Sequence, residues 1–494
     1  MLEYDYSRPL LSPASIRERL RRPACVTPII EVARPSATPL DAYLRLKGHG
    51  DRAFLFESAD LGEKSARFSF VGAGGELITV KDGSILLNGK KIPYKKGPVA
   101  FLKDVLAGFR PAGPVFVNEK APLPVFYGGL AGYISYDFIR YFDSVGCSAC
   151  DDLGCPDAEL AFVRDLAVYD HGLKKLLLIS NDFSGDIEGA KARIAAMKRS
   201  LAGGETARPP SSEAVKLELT YSMPRERYME MVKRAKEYIL DGDAFQIVLS
   251  LRAEAEADFD PVALYQALKE INPSPYMYFL ECGGTGIVGS SPEILVKVED
   301  RKVTVRPIAG TRKRGRTREE DLLMEQEMKS DPKELAEHVM LVDLGRNDVG
   351  KVAKFGSVRV NDYMSVEKYS HVQHIVSNVV GDLRDDMDAV DVLVATFPAG
   401  TVSGAPKTRA MQIIEELEGR RRGLYAGCVG YFCFNSNSDL AIAIRTILLK
   451  NGKAYVQAGA GIVMDSVPEK EHLESMNKGA AMLGALGRSL KGGE

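Results

Sequence analysis

Tryptophan is absent from the 494-residue chain, and so are long uncharged apolar runs. Because a membrane-spanning helix needs about 20 mainly apolar residues, we expect no transmembrane segment. The N-terminal segment MLEYDYSRPL has no apolar stretch after a basic start, so we expect no signal peptide either. Neither sign of charge predominates: Lys and Arg number 65, Asp and Glu 67, and the net charge is −2. This balance argues against a general attraction to nucleic acid or to an anionic membrane surface.

Cysteine is scarce, with seven residues. An odd number in a long chain favours free thiols in a reducing cytoplasm over a disulfide framework. Three of them form one cluster, CSACDDLGC, at Cys147, Cys150 and Cys155. A zinc site is the alternative, but no fourth Cys or His stands at a familiar spacing, so free thiols in a loop are the favoured interpretation.

Two patterned regions are separated by a stretch of small and helix-breaking residues, LAGGETARPPSSE. We predict an N-terminal region at 1–200, a linker at 201–215 and a second region at 216–494. Short strand-like runs fill the first region, and helical and strand-like runs alternate irregularly in the second. Without a regular βαβ rhythm, this pattern favours an α+β fold with mainly antiparallel sheets.

Three motifs suggest nucleotide or nucleic-acid binding, and none withstands comparison with the known pattern. In FPAGTVSGAPKTR, Pro406 takes the place of the glycine that a phosphate loop requires before its lysine. In QAGAGIVMDS, Met464 stands where a dinucleotide fingerprint has its third glycine. The basic run at 312–318 has no interleaved aromatic residues, and acids follow it at once. A solvated loop, or a mobile cover over an anionic ligand, is the favoured interpretation of that run.

A pair of glutamates opens a predicted helix in SDPKELAEHVMLVD. Asp331 is suited to cap the first turn and Pro332 to the first helical position, ahead of Glu334 and Glu337. Acids are favourable at the positive end of a helix dipole, so this pair alone indicates only a solvated helix start. The apolar residues predicted to face a core are Leu335, Val339 and Val342.

A second acidic pair with the same spacing occurs far along the chain, in SVPEKEHLESMNK. Ser466 is predicted to cap this helix, and Glu471, Glu474 and Lys478 fall on one face. Carboxylates from two helices suit a hard cation, and glutamates favour Mg²⁺ over zinc. Two ordinary amphipathic helices remain an equally open interpretation.

Six segments occur in an order typical of a known family: PIAGTR, DPKELAEHVMLVDLGRND, FPAGTVSGAPK, AIRT, QAGAGIVMDS and EHLESMNK. Through them, residues 221–483 resemble the chorismate-utilising enzymes, most closely those that form anthranilate, and FESAD near the N-terminus extends the match. The resemblance implies a sandwich of large, mainly antiparallel sheets surrounded by helices. It also implies a magnesium-dependent reaction of chorismate, which is a dianion.

The resemblance assigns roles in binding the metal and the substrate. Glu337 and Glu474 match the family's magnesium ligands, with Glu334 and Glu471 supporting them, and the metal is expected to hold the ring carboxylate. Arg445 offers a planar fork suited to the second carboxylate. The residues that match substrate contacts are Gly310, Thr311, Thr401, Tyr425, Arg445, Gly459, Ala460, Gly461 and Lys478.

Three residues match the family's catalytic positions. Glu293 matches a general acid for the departing ring hydroxyl, and His374 matches a histidine that assists proton removal. A lone histidine is more often structural, so both interpretations of His374 stay open. Aminodeoxychorismate synthases commonly have a lysine, whose amine attacks the ring, at the position of Ala309. Isochorismate and salicylate synthases have a lysine that activates water at the position of Gln246, and a neutral amide there suits ammonia better. The implied reaction is therefore amination by ammonia with loss of pyruvate, giving anthranilate; a noncatalytic anion- or RNA-binding protein is the alternative from a different class.

The resemblance also implies two partners. The chain has no G-x-C-x-G nucleophile motif with a matching histidine, so ammonia is expected from a separate glutamine amidotransferase subunit, in an α2β2 heterotetramer. L-Tryptophan is expected as a feedback inhibitor, because five residues match its binding elements: Glu57, Ser58, Pro275, Tyr276 and Met277. A plain core strand and a Pro-bounded turn are the alternative there.

Overall fold

The computed structural model describes residues 11–48, 50–58, 67–211, 213–368 and 372–491. Strands in this part of the chain form two large sheets, of 14 and 12 strands. In chain order the strands are β1 (Ala24–Ala33), β2 (Ala53–Glu57), β3 (Phe68–Ala73), β4 (Glu76–Lys81), β5 (Ser84–Leu87), β6 (Lys90–Ile92), β7 (Phe109–Pro111), β8 (Val115–Phe116), β9 (Gly129–Ile134), β10 (Ala158–Val163), β11 (Asp165–Asp170), β12 (Lys175–Asp182), β13 (Thr220–Tyr221), β14 (Gln246–Glu256), β15 (Tyr276–Cys282), β16 (Thr285–Ser291), β17 (Ile294–Glu299), β18 (Lys302–Val305), β19 (Ile308–Lys313), β20 (Arg359–Lys368), β21 (Val372–Asp382), β22 (Gly404–Ala405), β23 (Cys428–Cys433), β24 (Ser438–Ile442), β25 (Thr446–Lys450) and β26 (Lys453–Ile462).

The helices begin where local capping chemistry favours them. Several have proline in the first turn, and α6 starts at an Asp260 cap whose side chain accepts from Val262 N at 2.8 Å. The α-helices are α1 (Pro13–Arg21), α2 (Pro39–Lys47), α3 (Pro98–Ala107), α4 (Ile187–Ala202), α5 (Arg225–Leu240), α6 (Pro261–Ile271), α7 (Arg318–Ser330), α8 (Pro332–Gly350), α9 (Ala389–Thr396), α10 (Lys407–Glu418) and α11 (Pro468–Gly487), with 3₁₀ turns at Tyr136–Tyr141 and Gly400–Val402.

Both sheets are mainly antiparallel. The larger runs β13-β14-β26-β25-β16-β15-β2-β3-β11-β12-β1-β7, and the smaller runs β19-β21-β18-β17-β24-β23-β9-β10-β4-β5-β6. Among the described strands, only the pairings of β1 with β7 and β8 are parallel. The α+β fold with large, mainly antiparallel sheets is therefore confirmed. Strands from either side of the predicted linker share both sheets, since β2 pairs with β15 and β9 with β23.

An aromatic core joins the inner faces of the two sheets. Phe126 stacks on Tyr431 with ring centroids 4.3 Å apart, and Phe70 of the other sheet meets Tyr431 at 5.6 Å. Helices α2, α4, α6 and α11 cover the outer face of the larger sheet, where a second apolar cluster lies. The inner faces of the two sheets pack against each other, and the outer face of the larger sheet packs against helices, so that these apolar faces are removed from water. No described helix combines the length and the apolar character that crossing a membrane demands.

Candidate active site

Helix α8 brings Glu334 and Glu337 to the site. Its predicted start is confirmed, because Asp331 caps it, accepting from Lys333 N at 3.0 Å, and Pro332 is its first residue. The prediction for its core face is only partly right: Val342 is buried, but Val339 is 39% exposed. The reason is that the buried face of α8 includes His338 instead of Val339, and His338 bonds to Ser377 Oγ at 2.6 Å.

Glu337 lies against Gln246, the first residue of β14. Gln246 Nε2 donates to Glu337 Oε1 at 3.3 Å, and Gln246 Oε1 is buried with no hydrogen-bond partner among the described residues. Burial raises the pKa of Glu337, and the nearby Glu334 adds to the effect. Glu334 itself accepts from Arg312 at 2.9 Å. One carboxylate of the pair is therefore paired with a cation, while Glu337 faces a neutral amide.

Helix α11 supplies the second acidic pair. The predicted Ser466 cap is wrong: the N-cap is Val467 without a side-chain bond, because the Ser466 hydroxyl accepts from Val463 N at 3.1 Å and bonds to the Glu471 carboxylate. Lys478 forms an ion pair with Glu474 at 2.8 Å and donates to the Gly459 carbonyl at 3.1 Å. This lysine thus ties α11 to strand β26.

The two acidic pairs act on one region of the molecule. Lys333 of α8 and Lys478 of α11 each lower the pKa of both Glu337 and Glu471, although burial raises both pKa values on balance. Mutual electrostatic influence requires proximity, so the acidic segments of α8 and α11 lie near each other. Within the described part of the chain, no three His, Cys, Asp or Glu side chains are grouped closely enough to hold a metal ion.

Glu293, in the short link between β16 and β17, is a deeply placed carboxyl group. Thr401, in the 3₁₀ turn before α10, donates to Glu293 Oε1 at 3.0 Å. Burial raises the pKa of Glu293 to about 7, against the lowering effects of the Thr401 bond and of Lys478. A carboxyl group with this pKa is suited to donate a proton near neutral pH.

His374 on β21 faces the bulge of β19. The strand register shifts between Ala309 and Thr311, and Gly310 at the shift has φ +68, where glycine is favoured. Its carbonyl accepts from His374 Nδ1 at 2.9 Å, which leaves Nε2 without the proton in the neutral ring. Burial lowers the pKa of His374, and Arg445 lowers it further. Thr311 is opposite His374 in the register, and its side chain lies outside the described residues.

Arg445 follows β24 with a left-handed backbone at φ +51. Burial lowers the pKa of Arg445, whereas Tyr425 raises it. No ion pair or side-chain hydrogen bond joins Arg445 to another described residue. Burial raises the pKa of Tyr425 to about 12, so its hydroxyl is neutral at pH 7. A partly buried cation beside a neutral hydroxyl has the chemistry that suits an anionic ligand.

Gly459, Ala460 and Gly461 form part of strand β26. They pair with Ser250, Leu249 and Val248 of β14. A Cβ added to Gly459 would meet the Leu249 carbonyl at 2.4 Å and the Tyr425 hydroxyl at 3.0 Å, and one added to Gly461 would meet Gln246 Nε2 at 2.4 Å. The clash at Gly459 is with backbone, so glycine is required there, whereas a side chain at position 461 would displace the end of the Gln246 side chain.

The residues predicted to bind tryptophan border a cavity of about 620 Å³ between the two sheets. Glu57, Pro275, Tyr276 and Met277 line it. Glu57 accepts from Lys269 Nζ at 2.7 Å, and the Ser58 hydroxyl is buried without a hydrogen-bond partner among the described residues. Further polar lining residues were not predicted, because strand alternation does not distinguish a cavity wall from a core: Arg67, Lys297, Glu299, Asn437 and Asp439.

The basic run is largely neutralised within the molecule. Arg312 pairs with Asp331 at 3.0 Å and with Glu334, and Arg314 pairs with Asp321 at 2.6 Å. The lysine of the discounted phosphate-loop motif, Lys407, is buried against Asp348 at 2.6 Å.

Two of the three clustered cysteines, Cys147 and Cys150, are exposed, and Cys155 is buried. His371, three residues before His374, lies outside the described residues.

Comparison with known proteins gives one consistent answer. The family model of chorismate binding enzymes matches residues 65–484. "Anthranilate synthase component 1" of Acetivibrio thermocellus is 45% identical over 472 residues, covering 92% of this chain and 94% of that protein, and its namesake in Aquifex aeolicus is 46% identical over 471 residues, covering 92% and 93%. The crystal structure of anthranilate synthase component I from Streptococcus pneumoniae superposes with a TM-score of 0.77 at 37% identity, covering 91% of this chain and 99% of that one. The chain therefore belongs to the chorismate binding enzymes and, within them, to the component 1 chains of the lyase anthranilate synthase.

Proposed function

We propose that the chain binds chorismate and Mg²⁺, adds ammonia to the ring, and eliminates pyruvate to give anthranilate. The observation that supports this most directly is Arg445, a partly buried guanidinium with no carboxylate partner among the described residues. An unpaired cation held partly out of water is costly, so such a site favours an anionic ligand. A carboxylate of chorismate suits the planar fork, with the Tyr425 hydroxyl beside it.

The described carboxylates at α8 and α11 have the chemistry that Mg²⁺ prefers, and because no three of them are grouped, water and substrate would complete the coordination. Glu337 and Glu474 would hold the ion, with Glu334 and Glu471 in support. Carboxylate oxygens are what Mg²⁺ prefers, and it commonly takes few protein ligands together with water and substrate. When bound, the metal neutralises and orients the ring carboxylate. Burial and mutual repulsion raise the pKa values of Glu337 and Glu471, a cost that a nearby cation would offset.

The first chemical step uses Glu293 and Gln246. Glu293 gives its proton to the ring hydroxyl, which leaves as water, while ammonia forms the new bond to the ring. Gln246 Oε1, which has no partner among the described residues, accepts a hydrogen bond from the incoming ammonia. A neutral amide leaves ammonia unprotonated and therefore nucleophilic. Ala309 offers no amine that could attack the ring instead.

The second step uses His374. Nδ1 donates its proton to the Gly310 carbonyl, so in the neutral ring Nε2 is the basic nitrogen that takes the ring proton. The enolpyruvyl C–O bond then breaks, pyruvate departs, and the ring becomes aromatic. Because burial and Arg445 lower the pKa of His374, the imidazole is neutral at pH 7 and able to act as a base.

Two partners complete the proposal. The relatives are named component 1, which implies a second component, and we infer that it is a glutamine amidotransferase that delivers ammonia within an α2β2 heterotetramer. L-Tryptophan is the proposed inhibitor, in the cavity lined by Glu57, Pro275, Tyr276 and Met277. Occupation of a cavity between the sheets would favour one arrangement of the strands that carry the site.

The test is incubation of the purified chain with chorismate, Mg²⁺ and a high concentration of ammonium. Anthranilate fluorescence is the expected result, and the lack of tryptophan in the chain keeps the background low. Isochorismate or aminodeoxychorismate as the product would select a sibling reaction. Salt-sensitive binding to nucleic acid without consumption of chorismate would favour the noncatalytic alternative.

A further inference from the structure

Arg422 is the largest fully buried side chain in the described part of the molecule. Its guanidinium meets Glu418, the last residue of α10 and four positions earlier, through two bonds of 2.9 and 2.7 Å. It also donates to two backbone carbonyls, at Val402 and at Val248, both at 2.7 Å. These carbonyls belong to separate segments, the 3₁₀ turn before α10 and strand β14.

Glu418 extends the same network into the sheet. Its Oε1 accepts from the backbone N–H of Ser250 at 2.8 Å and from the Ser250 hydroxyl at 2.9 Å. Ser250 is paired with Gly459 in the β14–β26 register, and its hydroxyl also accepts from Gln457 at 2.8 Å. Both members of the ion pair therefore hold β14, Arg422 through the Val248 carbonyl and Glu418 through Ser250.

Each segment held by this pair carries a residue of the proposed active site. Val402 follows Thr401, which bonds to Glu293. Val248 lies two residues after Gln246, which bonds to Glu337. The guanidinium also lies 5.5 Å from the centre of the Tyr425 ring. None of the pair's own atoms is part of the proposed chemistry, so it acts through its neighbours.

We propose that Arg422 and Glu418 form a positioning pair that sets Thr401, Gln246 and Tyr425 in one geometry around chorismate, an inference that rests on the proposed function. Stability alone does not account for such a pair. Removing charges from water is costly, and well-packed apolar residues often replace a buried ion pair without loss of stability. A planar fork that reaches two carbonyls on separate segments, however, fixes their relative positions in a way that apolar packing does not.

The experiment measures chorismate consumption by two variants of the full chain with ammonium and Mg²⁺. Arg422→Lys keeps the charge but loses the fork that spans Val402 and Val248. The double variant Glu418→Gln with Arg422→Met removes both charges and keeps an acceptor for Ser250. A displacement of about 1 Å at reacting groups costs about 10²-fold, so we expect kcat/KM to fall by that order in both. We also expect KM for chorismate to rise, whereas partial unfolding lowers only the apparent kcat.

Arg193→Lys is the matched control. Arg193 also donates to a backbone carbonyl, Asn181 O at 3.2 Å, and pairs with Asp165, but it lies on α4 among the N-terminal strands. We expect this control to keep the wild-type kcat and KM. Wild-type kinetics in both Arg422 variants would overturn the inference, and if one of them does not fold, the other decides. The product formed by the wild type tests the proposed function, and a product other than anthranilate would defeat it. The positioning pair is tested separately, by the ratio of chorismate consumption in the variant to that in the wild type.

Discussion

Thr401 Oγ1 donates a 3.0 Å hydrogen bond to Glu293 Oε1, joining the turn before α10 to the link between β16 and β17. The two residues are 108 positions apart in the chain. The bond favours the charged carboxylate and so lowers the pKa of Glu293, while burial raises it to about 7. Thr401 thus sets how much of the acid is protonated near neutral pH.

The pH profile follows from this contact. A general acid works only when protonated, so kcat/KM should fall as the pH rises through about 7. Thr401→Val removes an influence that lowers the pKa of Glu293, so the alkaline limb should move to higher pH. Glu293→Gln should lower kcat by about 10²- to 10⁴-fold and abolish that limb. Unchanged alkaline limbs in both variants would remove Glu293 from the role of acid.

Magnesium dependence is expected to reside in Glu337 and Glu474. Glu337→Gln and Glu474→Gln keep the shape of the side chain and remove its charge, so each should raise the magnesium concentration required for half-maximal activity or abolish turnover. The measurement is activity against Mg²⁺ concentration, with thermal unfolding to establish that the variants are folded. Asp343→Asn is the matched control, because Asp343 is exposed on α8 and pairs with Arg346. Equal magnesium curves for all three variants and wild type would contradict the assignment.

Arg445→Gln should weaken binding of chorismate. A charged hydrogen bond contributes about 1.5 to 3 kcal/mol, so KM should rise by roughly 10- to 100-fold. The measurement is a steady-state titration with chorismate, and Arg346→Gln on the exposed end of α8 is the control. A KM like that of the wild type would mean that Arg445 does not meet a substrate carboxylate.

Local chemistry made some of these elements predictable. The start of α8 depends on Asp331 and Pro332, which are adjacent, and capping acts over a few residues. The start of α11 defeated the same reasoning, because the Ser466 hydroxyl bonds to Val463 and Glu471 instead. A serine with competing partners cannot be assigned from spacing alone.

Long-range contacts were not predictable from pattern. Nothing near Glu293 indicates Thr401, and the Arg422 network joins segments up to 174 positions apart. The antiparallel α+β fold followed from strand-like runs without βαβ rhythm, but the order of strands requires the tertiary structure. Spacing indicated the two acidic pairs, but the other candidate residues came from the family resemblance, which supplied positions that hydrophobic periodicity does not mark.

Tryptophan inhibition provides the last prediction. The Ser58 hydroxyl is buried with no hydrogen-bond partner among the described residues, and it directly follows Glu57, which lines the 620 Å³ cavity. An unsatisfied buried hydroxyl favours a ligand that supplies a partner. Ser58→Ala should therefore raise the inhibition constant for L-tryptophan by about five- to tenfold, the effect of one hydrogen bond, with near-normal kcat.

Tyr276→Phe tests the same cavity from β15, the strand paired with β2. It keeps the ring and removes the hydroxyl that donates to Asp439 at 3.1 Å, where burial raises the pKa of the carboxyl to about 6. Tryptophan inhibition measured for both variants should weaken while KM for chorismate stays constant, since neither residue contacts the proposed site. Ser144→Ala, on an exposed loop, is the control and should leave inhibition unchanged. If all three inhibition curves match the wild type, tryptophan does not bind in this cavity. Glu57 then serves only to hold β2 to α6 through Lys269, and Tyr276 to join the two sheets through Asp439.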